Sequence, residues 1–465
     1  TGFNKMDSSY WNAIRPVPLE PDEKQNFVFR DSTSKSFRDS MYSKRNVDSL
    51  RRNRKPVRFQ NFFRGGVDRS FYSTKTFVNY KLEPLLKQLE YNTVEGLAVN
   101  IEQSVTLRPR QKENVYRIDW NTRYGFNNAH LNSYINFTVR PARNNYQNKY
   151  TSAGGGKRIS QFNKDNPIDA LTNSLYTLIA KKNYIKLYEA WFGELAYHTR
   201  FDNGLRLHAD ILFEDRLPLN NSTDFSFFNK ERPLLPNHPY ELGDMPFEKH
   251  KALVTSLIFS YQPGQRYIQF PTYKMAVGSK LPTFELEYSK GIDQLLGSEV
   301  DFDKWKFSVY DNMNLKLGGE LRYRLSAGGF LNNDRVALPD LQHFNGNQTF
   351  YNSKYLNSFQ LAPYYQYSTS ENFYGVIHLE HHLNGLLTNK IPLLNKLKWN
   401  LVAGTNMFYV DRDNYYIEAF AGLENILKLF RVDLVTAYQA QPGHNFGVRI
   451  GLGGIIGGAL KFNNR

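Results

Sequence analysis

The densest set of metal-ligating side chains in this chain is His378-Leu379-Glu380-His381-His382. On a strand, His378, Glu380 and His382 share one face, with neighbouring side chains roughly 6–7 Å apart. Imidazole and carboxylate donors suit zinc or another transition metal, which makes these three weak candidates for a metal site. Successive residues on one strand face run parallel and converge poorly on one ion. The expectation is therefore a hydrogen-bonded cluster beside a turn, with no metal and no cofactor. A second set is ionic: Glu418, Glu424, Arg431, Asp433 and Arg449 fall on three successive alternating segments and are expected to form a ladder of ion pairs. Catalytic patterns are scarce. There is no Gly-x-Ser-x-Gly elbow, no His-Glu-x-x-His helix and no phosphate loop. His198 or His208 could pair with a serine across strands, but no serine stands out as the partner. Gly154-Gly155-Gly156-Lys157 reads as a flexible loop tip. The chain has no cysteine, so disulfides, thiolate metal sites and thiol nucleophiles are excluded. The expected protein is not an enzyme.

The elements that must carry these residues are strands. From Tyr415 the sequence alternates: Ile417, Ala419, Ala421 and Leu423 on one face, and Tyr416, Glu418, Phe420 and Glu424 on the other. Phe430, Val432, Leu434 and Tyr438 then oppose Arg431 and Asp433. Phe446, Val448, Ile450 and Leu452 oppose Arg449 and three glycines. The same pattern returns at 187–202, 205–216 and 315–328, where Glu194, His198, Arg206, His208, Glu320 and Arg322 oppose apolar residues. Long, closely spaced strands of this kind point to lipid against the apolar face, and hence to a closed transmembrane barrel. A Lys or Arg turned to mid-bilayer costs roughly 2–4 kcal/mol, so the charged faces must look inward. Both signs interleave there, which suits a packed interior better than an open pore.

Strands are expected at 94–107, 114–125, 129–140, 187–202, 205–216, 249–262, 282–291, 302–311, 315–328, 356–368, 373–384, 398–411, 415–424, 430–440 and 445–454. Barrels of one bacterial chain have an even number, so the fold class is an all-β transmembrane antiparallel β-barrel of about 16 strands, with 14 as runner-up. The missing strand falls in 58–80 or 266–279. Asp202-Asn203-Gly204 and Asp411-Arg412-Asp413-Asn414 read as tight turns. The connections 141–186, 217–248 and 329–355 are long. The first holds a short helix capped by Asn166, with Pro167 in its first turn and Leu171, Leu175, Leu178 and Ile179 as its apolar face. Long loops normally face outward, yet counting strands back from the last one puts these three inside; one miscounted strand reconciles the two.

Composition fits this class. Aromatics make up 15%, with 31 Tyr and 34 Phe, as aromatic girdles demand. Mean hydropathy is −0.57, and no apolar run reaches the roughly 18–20 residues of a membrane helix. The net charge of +15 comes without a nucleic-acid-binding module. Outer-membrane lipid and lipopolysaccharide, with other envelope proteins, are the expected partners, and the bacterial outer membrane the expected location. Residues 1–57 differ, being polar and basic, and read as a periplasmic linker segment with a helical piece around 33–52. Residues 58–465 make the barrel.

Several segments also resemble a known family. They are Tyr10-Trp11 with Arg15-Pro16-Val17-Pro18-Leu19; Asn92-Thr93-Val94-Glu95-Gly96-Leu97; Asn183-Tyr184-Ile185-Lys186-Leu187-Tyr188; His378 to His382 with Asn384-Gly385; Asn389-Lys390-Ile391-Pro392; and Gly422-Leu423-Glu424-Asn425-Ile426 with Phe430-Arg431-Val432-Asp433. Together they resemble a Bacteroidota outer-membrane family of unknown function, described as carboxypeptidase-regulatory-like-domain proteins. The resemblance implies a C-terminal barrel preceded by a small periplasmic β-sandwich, with this chain as the second half. The last strands also resemble Omp85-type assembly barrels, whose lid loop carries an Arg-Gly-aromatic motif; the nearest match here is Phe344-Asn345-Gly346-Asn347, with asparagine in place of arginine. The leading expectation is a non-enzymatic outer-membrane barrel in envelope assembly, export or a surface complex. The rivals are a passive channel or receptor for small solutes, and an outer-membrane hydrolase.

Overall fold

The computed structural model describes residues 20–53, 56–110, 114–141, 149–228, 231, 233–243, 245–269, 274–352, 355–386, 388–439 and 444–452. The Tyr10-Trp11 motif lies outside them, as do residues 453 and 454 of the last expected strand. The N-terminal part is helical, α1 Pro21–Met41 and α2 Lys44–Arg52, so the helical piece begins earlier than expected. Ser43 caps α2 by accepting from the Asn46 N–H.

Strands follow in chain order: β1 Val67–Tyr72, β2 Thr76–Leu82, β3 Leu89–Asn92, β4 Gly96–Pro109, β5 Asn114–Gly125, β6 Leu131–Pro141, β7 Tyr150–Gln161, β8 Leu187–Arg200, β9 Leu205–Pro218 and β10 His250–Tyr261. A small hairpin, β11 Arg266–Gln269 with β12 Lys274–Gly278, stands apart from the main sheet. Next come β13 Thr283–Gly291, β14 Asp301–Asn314, β15 Glu320–Arg335, and the short β16 Gln342–His343, β17 Tyr351–Asn352 and β18 Ser368–Thr369. The chain ends with β19 Tyr374–His382, β20 Asn400–Tyr409, β21 Tyr415–Ile426, β22 Phe430–Gln439 and β23 His444–Leu452. Helix α3 Ala170–Ala180 lies between β7 and β8, and α4 Pro392–Leu397 between β19 and β20.

Nineteen of these strands form one sheet, each long strand antiparallel to the next along the chain. The sheet is inside-out relative to a soluble one. On β21 and β22, Tyr416, Glu418, Glu424, Arg431 and Asp433 are buried while Ile417, Phe430, Leu434 and Tyr438 are exposed. On β5 and β6, Ile118, Trp120, Leu131, Ile135 and Phe137 are exposed in the same way. Apolar surface is favoured outward only where the surroundings are themselves apolar. The sheet curls: the segment between β15 and β19 touches Arg216 of β9 at one point and Glu418 of β21 at another.

One long strand was hidden in the sequence and one was false. β7 lies inside the expected first connection because Gly154, Gly155 and Gly156 mask its alternation; they are mid-strand, not a loop tip. Gly156 pairs with Tyr134 on one side and Phe192 on the other, and those two rings meet over it at 5.5 Å. A Cβ at Gly156 would fall 2.4 Å from the Ser133 carbonyl oxygen, and its φ of +140° disfavours side chains. The span 356–368 forms no strand. Ser358, Phe359 and Gln360 are all buried, because this stretch is packed from both sides. The span 266–279 gives the separate hairpin.

Removing the false strand settles the direction of the loops. The connections 162–186, 219–249 and 336–373 share one end, the loop end. β23 runs away from it, to the turn end that carries the turns 201–204, 315–319 and 427–429. The N-terminal helices also sit at the turn end: Arg51 donates to the Tyr72 carbonyl (3.3 Å) and Asp39 pairs with Arg110.

The two edges of the sheet do not meet through backbone pairing among the described residues. β1 covers the outer edge of β2. Beside β3 stands α3, where the Tyr91 N–H donates to Ser174 Oγ (2.8 Å). Asp169, not Asn166, caps α3, accepting from the Thr172 N–H at 2.9 Å. The helix buries its polar side, Asn173, Ser174 and Thr177, and leaves Leu171 and Leu175 66% and 51% exposed. The expected apolar core face is therefore the open face. At the opposite edge, β23 pairs in parallel with β17.

Candidate functional site

The space enclosed by the sheet is organised by the segment 336–373. Its two arms pair tightly, with the Phe359 N–H donating to the Asn345 carbonyl (2.7 Å) and the Asn347 N–H to the Ala362 carbonyl (2.8 Å). Gly346 lies where a Cβ would come within 2.2 Å of the Pro363 carbonyl oxygen, so the arms approach this closely only with glycine there. Phe344, Phe359 and Tyr367 pack with Tyr374, Phe408 and Tyr416 of the wall. The Phe344 and Phe408 rings stack at 4.3 Å.

The five residues expected to form one ladder fall into two separate groups, and only Arg431 and Asp433 pair with each other. Glu418 faces the inserted segment. It accepts from the N–H of Gln360 (2.7 and 2.8 Å to its two oxygens) and of Leu361 (3.2 Å). Asn406 Nδ2 (2.6 Å) and the Tyr416 hydroxyl (2.9 Å) also donate to it. Arg449 complements it, donating to the carbonyls of Gln360 (2.6 Å), Asn347 (3.3 Å) and Val448 (3.1 Å). These two residues clamp a loop backbone rather than each other.

The other device gathers Glu380, His382, Glu424, Arg431 and Asp433. Arg431 donates from Nη1 to Glu380 (2.7 Å) and from Nε to Asp433 (2.8 Å). Each nitrogen of His382 faces a carboxylate, Glu380 on one side and Glu424 at 3.0 Å on the other. Arg322 lies 3.9 Å from Glu380. His378 does not join: its Nδ1 is 2.8 Å from Asn406 Oδ1. With Glu380 bound to Arg431 and His378 turned elsewhere, the three metal candidates do not converge. No group of three ligating residues suited to a metal ion occurs among the described residues. His198 stacks on Tyr150 and faces His208 instead of a serine.

A third polar centre, which sequence reasoning missed, fixes the loop end. Arg216, 0% exposed, makes a bidentate pair with Asp340 (2.5 and 3.0 Å), and Lys164 adds a third contact at 3.0 Å. Around it Phe162, Tyr188, Leu338, Tyr364 and Tyr365 form a core that caps this end. Nothing local distinguishes Asp340 in the sequence, since its partners lie 124 and 176 residues away.

His343 belongs to this cap. Its Nε2 donates to the Leu338 carbonyl (3.0 Å) and its Nδ1 is 2.7 Å from Ser368 Oγ. A histidine–serine contact invites a catalytic reading, but a carbonyl stands where a triad needs a carboxylate. Burial, aided by Lys304, pushes His343 down to about 4. The unfolded chain therefore binds the proton more readily between about pH 6.5 and 4. The neutral ring stabilises the cap above pH 6.5, and that contribution falls away as pH drops toward 4. The expected result is a cap weakened by up to about 3 kcal/mol across that window. Amide exchange of 336–373 against pH checks it: His343→Gln should flatten the profile, and an unchanged profile would refute the assignment.

Between the charged device and α3 lies a cavity of about 1800 Å³. Arg322, Lys306, Glu320 and Glu380 line one side, and Leu171, Leu175, Ile179 and Phe350 the other.

Residues 61–423 match the C-terminal domain of DUF5686, a family of unknown function. The chain belongs to this family. No curated protein matches it. Among solved structures, it is similar to BamA from Haemophilus ducreyi lacking POTRA domains 1–3, at 8% identity and a TM-score of 0.43, covering 87% of this chain and 76% of that one. It is also similar to CdiB from Acinetobacter baumannii, at 10% identity and a TM-score of 0.35, covering 77% of this chain. It spans about half of CdiB, 56% of that length. DUF5686 membership agrees with the expected family of unknown function.

Proposed function

We propose that this DUF5686 chain is an integral outer-membrane β-barrel that acts without enzyme chemistry in the assembly or export of envelope components, beside lipopolysaccharide and other envelope proteins. β4–β10, β13–β15 and β19–β23 supply fifteen staves and the interrupted β2–β3 pair the sixteenth, the even number a single-chain barrel uses. The loop end faces outward and the turn end, with helices α1 and α2, faces the periplasm. The reading extends to a Bacteroidota-type envelope and a β-sandwich ahead of the barrel.

One observation favours this over a passive channel. A channel needs an open lumen and a closed wall. Here the lumen is occupied by the segment 336–373, while the described wall lacks backbone pairing between its edges. A break in the wall beside a stoppered interior suits handling of a client at the membrane, because unpaired strand groups in a bilayer demand partners. Depletion in the native host, followed by quantitative outer-membrane proteomics, tests it. The expected result is a several-fold loss of a defined set of surface proteins. An unchanged proteome with impaired uptake of small solutes would reverse the choice.

A further inference from the structure

Helix α3 presents its apolar stripe to open space. Leu171, Leu175 and Ile179 recur every four residues, one above the next on a single face, and each is about half exposed or more. The helix did not end this way for want of a polar alternative, since Asn173, Ser174 and Thr177 are turned inward and hydrogen-bonded. The stripe therefore stands in an orientation that water disfavours. It stands, moreover, where the edges of the sheet do not pair among the described residues, hydrogen-bonded to the outer side of β3. Phe350, 59% exposed, meets α3 at one end of this stripe: its N–H donates to the Tyr176 hydroxyl (2.7 Å) and the two rings lie 5.9 Å apart.

The same cavity is polar a few residues further on. From Phe350 the chain leads to Tyr355, whose ring is 4.0 Å from the Arg431 guanidinium. Arg431 is almost wholly buried, lines the cavity, and has no hydrogen-bond partner for its Nη2. Arg322 and Glu320, both partly accessible, form a bidentate ion pair with each other (3.0 and 2.8 Å) on the neighbouring wall, a cation and an anion that a zwitterionic head can bridge by exchange. Apolar surface at one side and both signs of charge at the other describe an amphiphile with a zwitterionic head.

We infer that the break between α3 and β17 is a binding site for one zwitterionic phospholipid. Its acyl chain lies along Leu171, Leu175 and Ile179. Its phosphate is taken by Arg322 and the spare Arg431 donor, and its ammonium by Glu320. A lone anionic lipid is less suited, because carboxylates share the wall. This goes beyond a role in assembly or export and requires only that the sheet spans a bilayer.

The test uses the full chain in nonionic detergent micelles with two photoactivatable probes, each carrying a diazirine near the end of an acyl chain. One is phosphatidylethanolamine and the other diacylglycerol, which lacks the head group. Labelled peptides are mapped by mass spectrometry. The phosphatidylethanolamine probe should label both α3 and the outward strand β6, whereas diacylglycerol should label β6 with at least fivefold less at α3. Leu175→Glu should remove the α3 label and spare that on β6, which also reports that the variant is folded. Equal labelling of α3 by both probes, or labelling of β6 with none at α3, would overturn the proposal. Because the probe comparison is made on the unaltered chain, it holds whether or not the variant folds.

Discussion

Asp340→Ala is expected to destabilise the capped end by about 3–5 kcal/mol, the cost of stranding a buried guanidinium. Arg216 has no water to fall back on, and its remaining partner, Glu214 at 3.0 Å, is shared with Arg158 at 2.9 Å. Burial alone would raise the Asp340 carboxyl, but Arg216 and Lys164 overcome it and hold the group far below the usual carboxylate range. The pair is thus charged at every pH a cell meets, and removing one partner leaves the other uncompensated. Replacing both, as in Arg216→Met with Asp340→Leu, should recover most of the loss, since apolar substitutes for a buried pair are often neutral or better. Limited proteolysis of the connection 336–373, with urea titration in detergent, gives the readout. If the single and double variants are equally sensitive, the ion pair is not what secures the cap.

Glu418→Ala should have the second largest effect, on conduction. The unaltered protein is expected to be nearly silent in a planar bilayer because the segment 336–373 is clamped across the interior by Glu418, Arg449 and the aromatic cluster. Glu418 receives four donors, from Gln360, Leu361, Asn406 and Tyr416. Each buried donor left without an acceptor costs about 1–3 kcal/mol. Their sum exceeds what the stacked Phe344–Phe408 pair contributes, about 0.5–1.5 kcal/mol beyond its burial. The segment should therefore leave its seat, and single-channel recording should show frequent long openings. Glu418→Gln keeps an acceptor and should open rarely. Silence from both variants would mean that the aromatic packing holds the segment alone.

Much of this was legible in residue order. The β21–β23 alternation gave both faces, because each strand there has one face turned inward to polar partners and one apolar face turned outward. Glu418, Arg431 and Asp433 were found for that reason. Their partners were not. Alternation states which way a side chain points and nothing about a distant loop that meets it, so Glu418 and Arg449 looked like members of a ladder when both hold Gln360. The span 356–368 misled in the same way, since aromatics at short intervals mimic a strand when a segment is buried on all sides. β7 was lost for the opposite reason, its three glycines leaving no pattern to read. The stripe Leu171–Leu175–Ile179 was recognised as a helix face, but helical spacing alone does not say whether such a face is covered.

The cap carries a consequence for the order in which the molecule forms. Its core joins Val94, Phe162, Tyr188, Leu338 and Tyr365, residues supplied by four widely separated parts of the chain. Contacts of such long sequence separation form late and slowly, because loop closure must precede any gain. Hairpins from β4 onward can pair with their neighbours as they arise, but the cap must wait until β15 and the segment after it are present. The molecule thus passes through a stage with its sheet largely built and its loop end still uncapped. How long that open stage lasts is set by how quickly Asp340 finds Arg216.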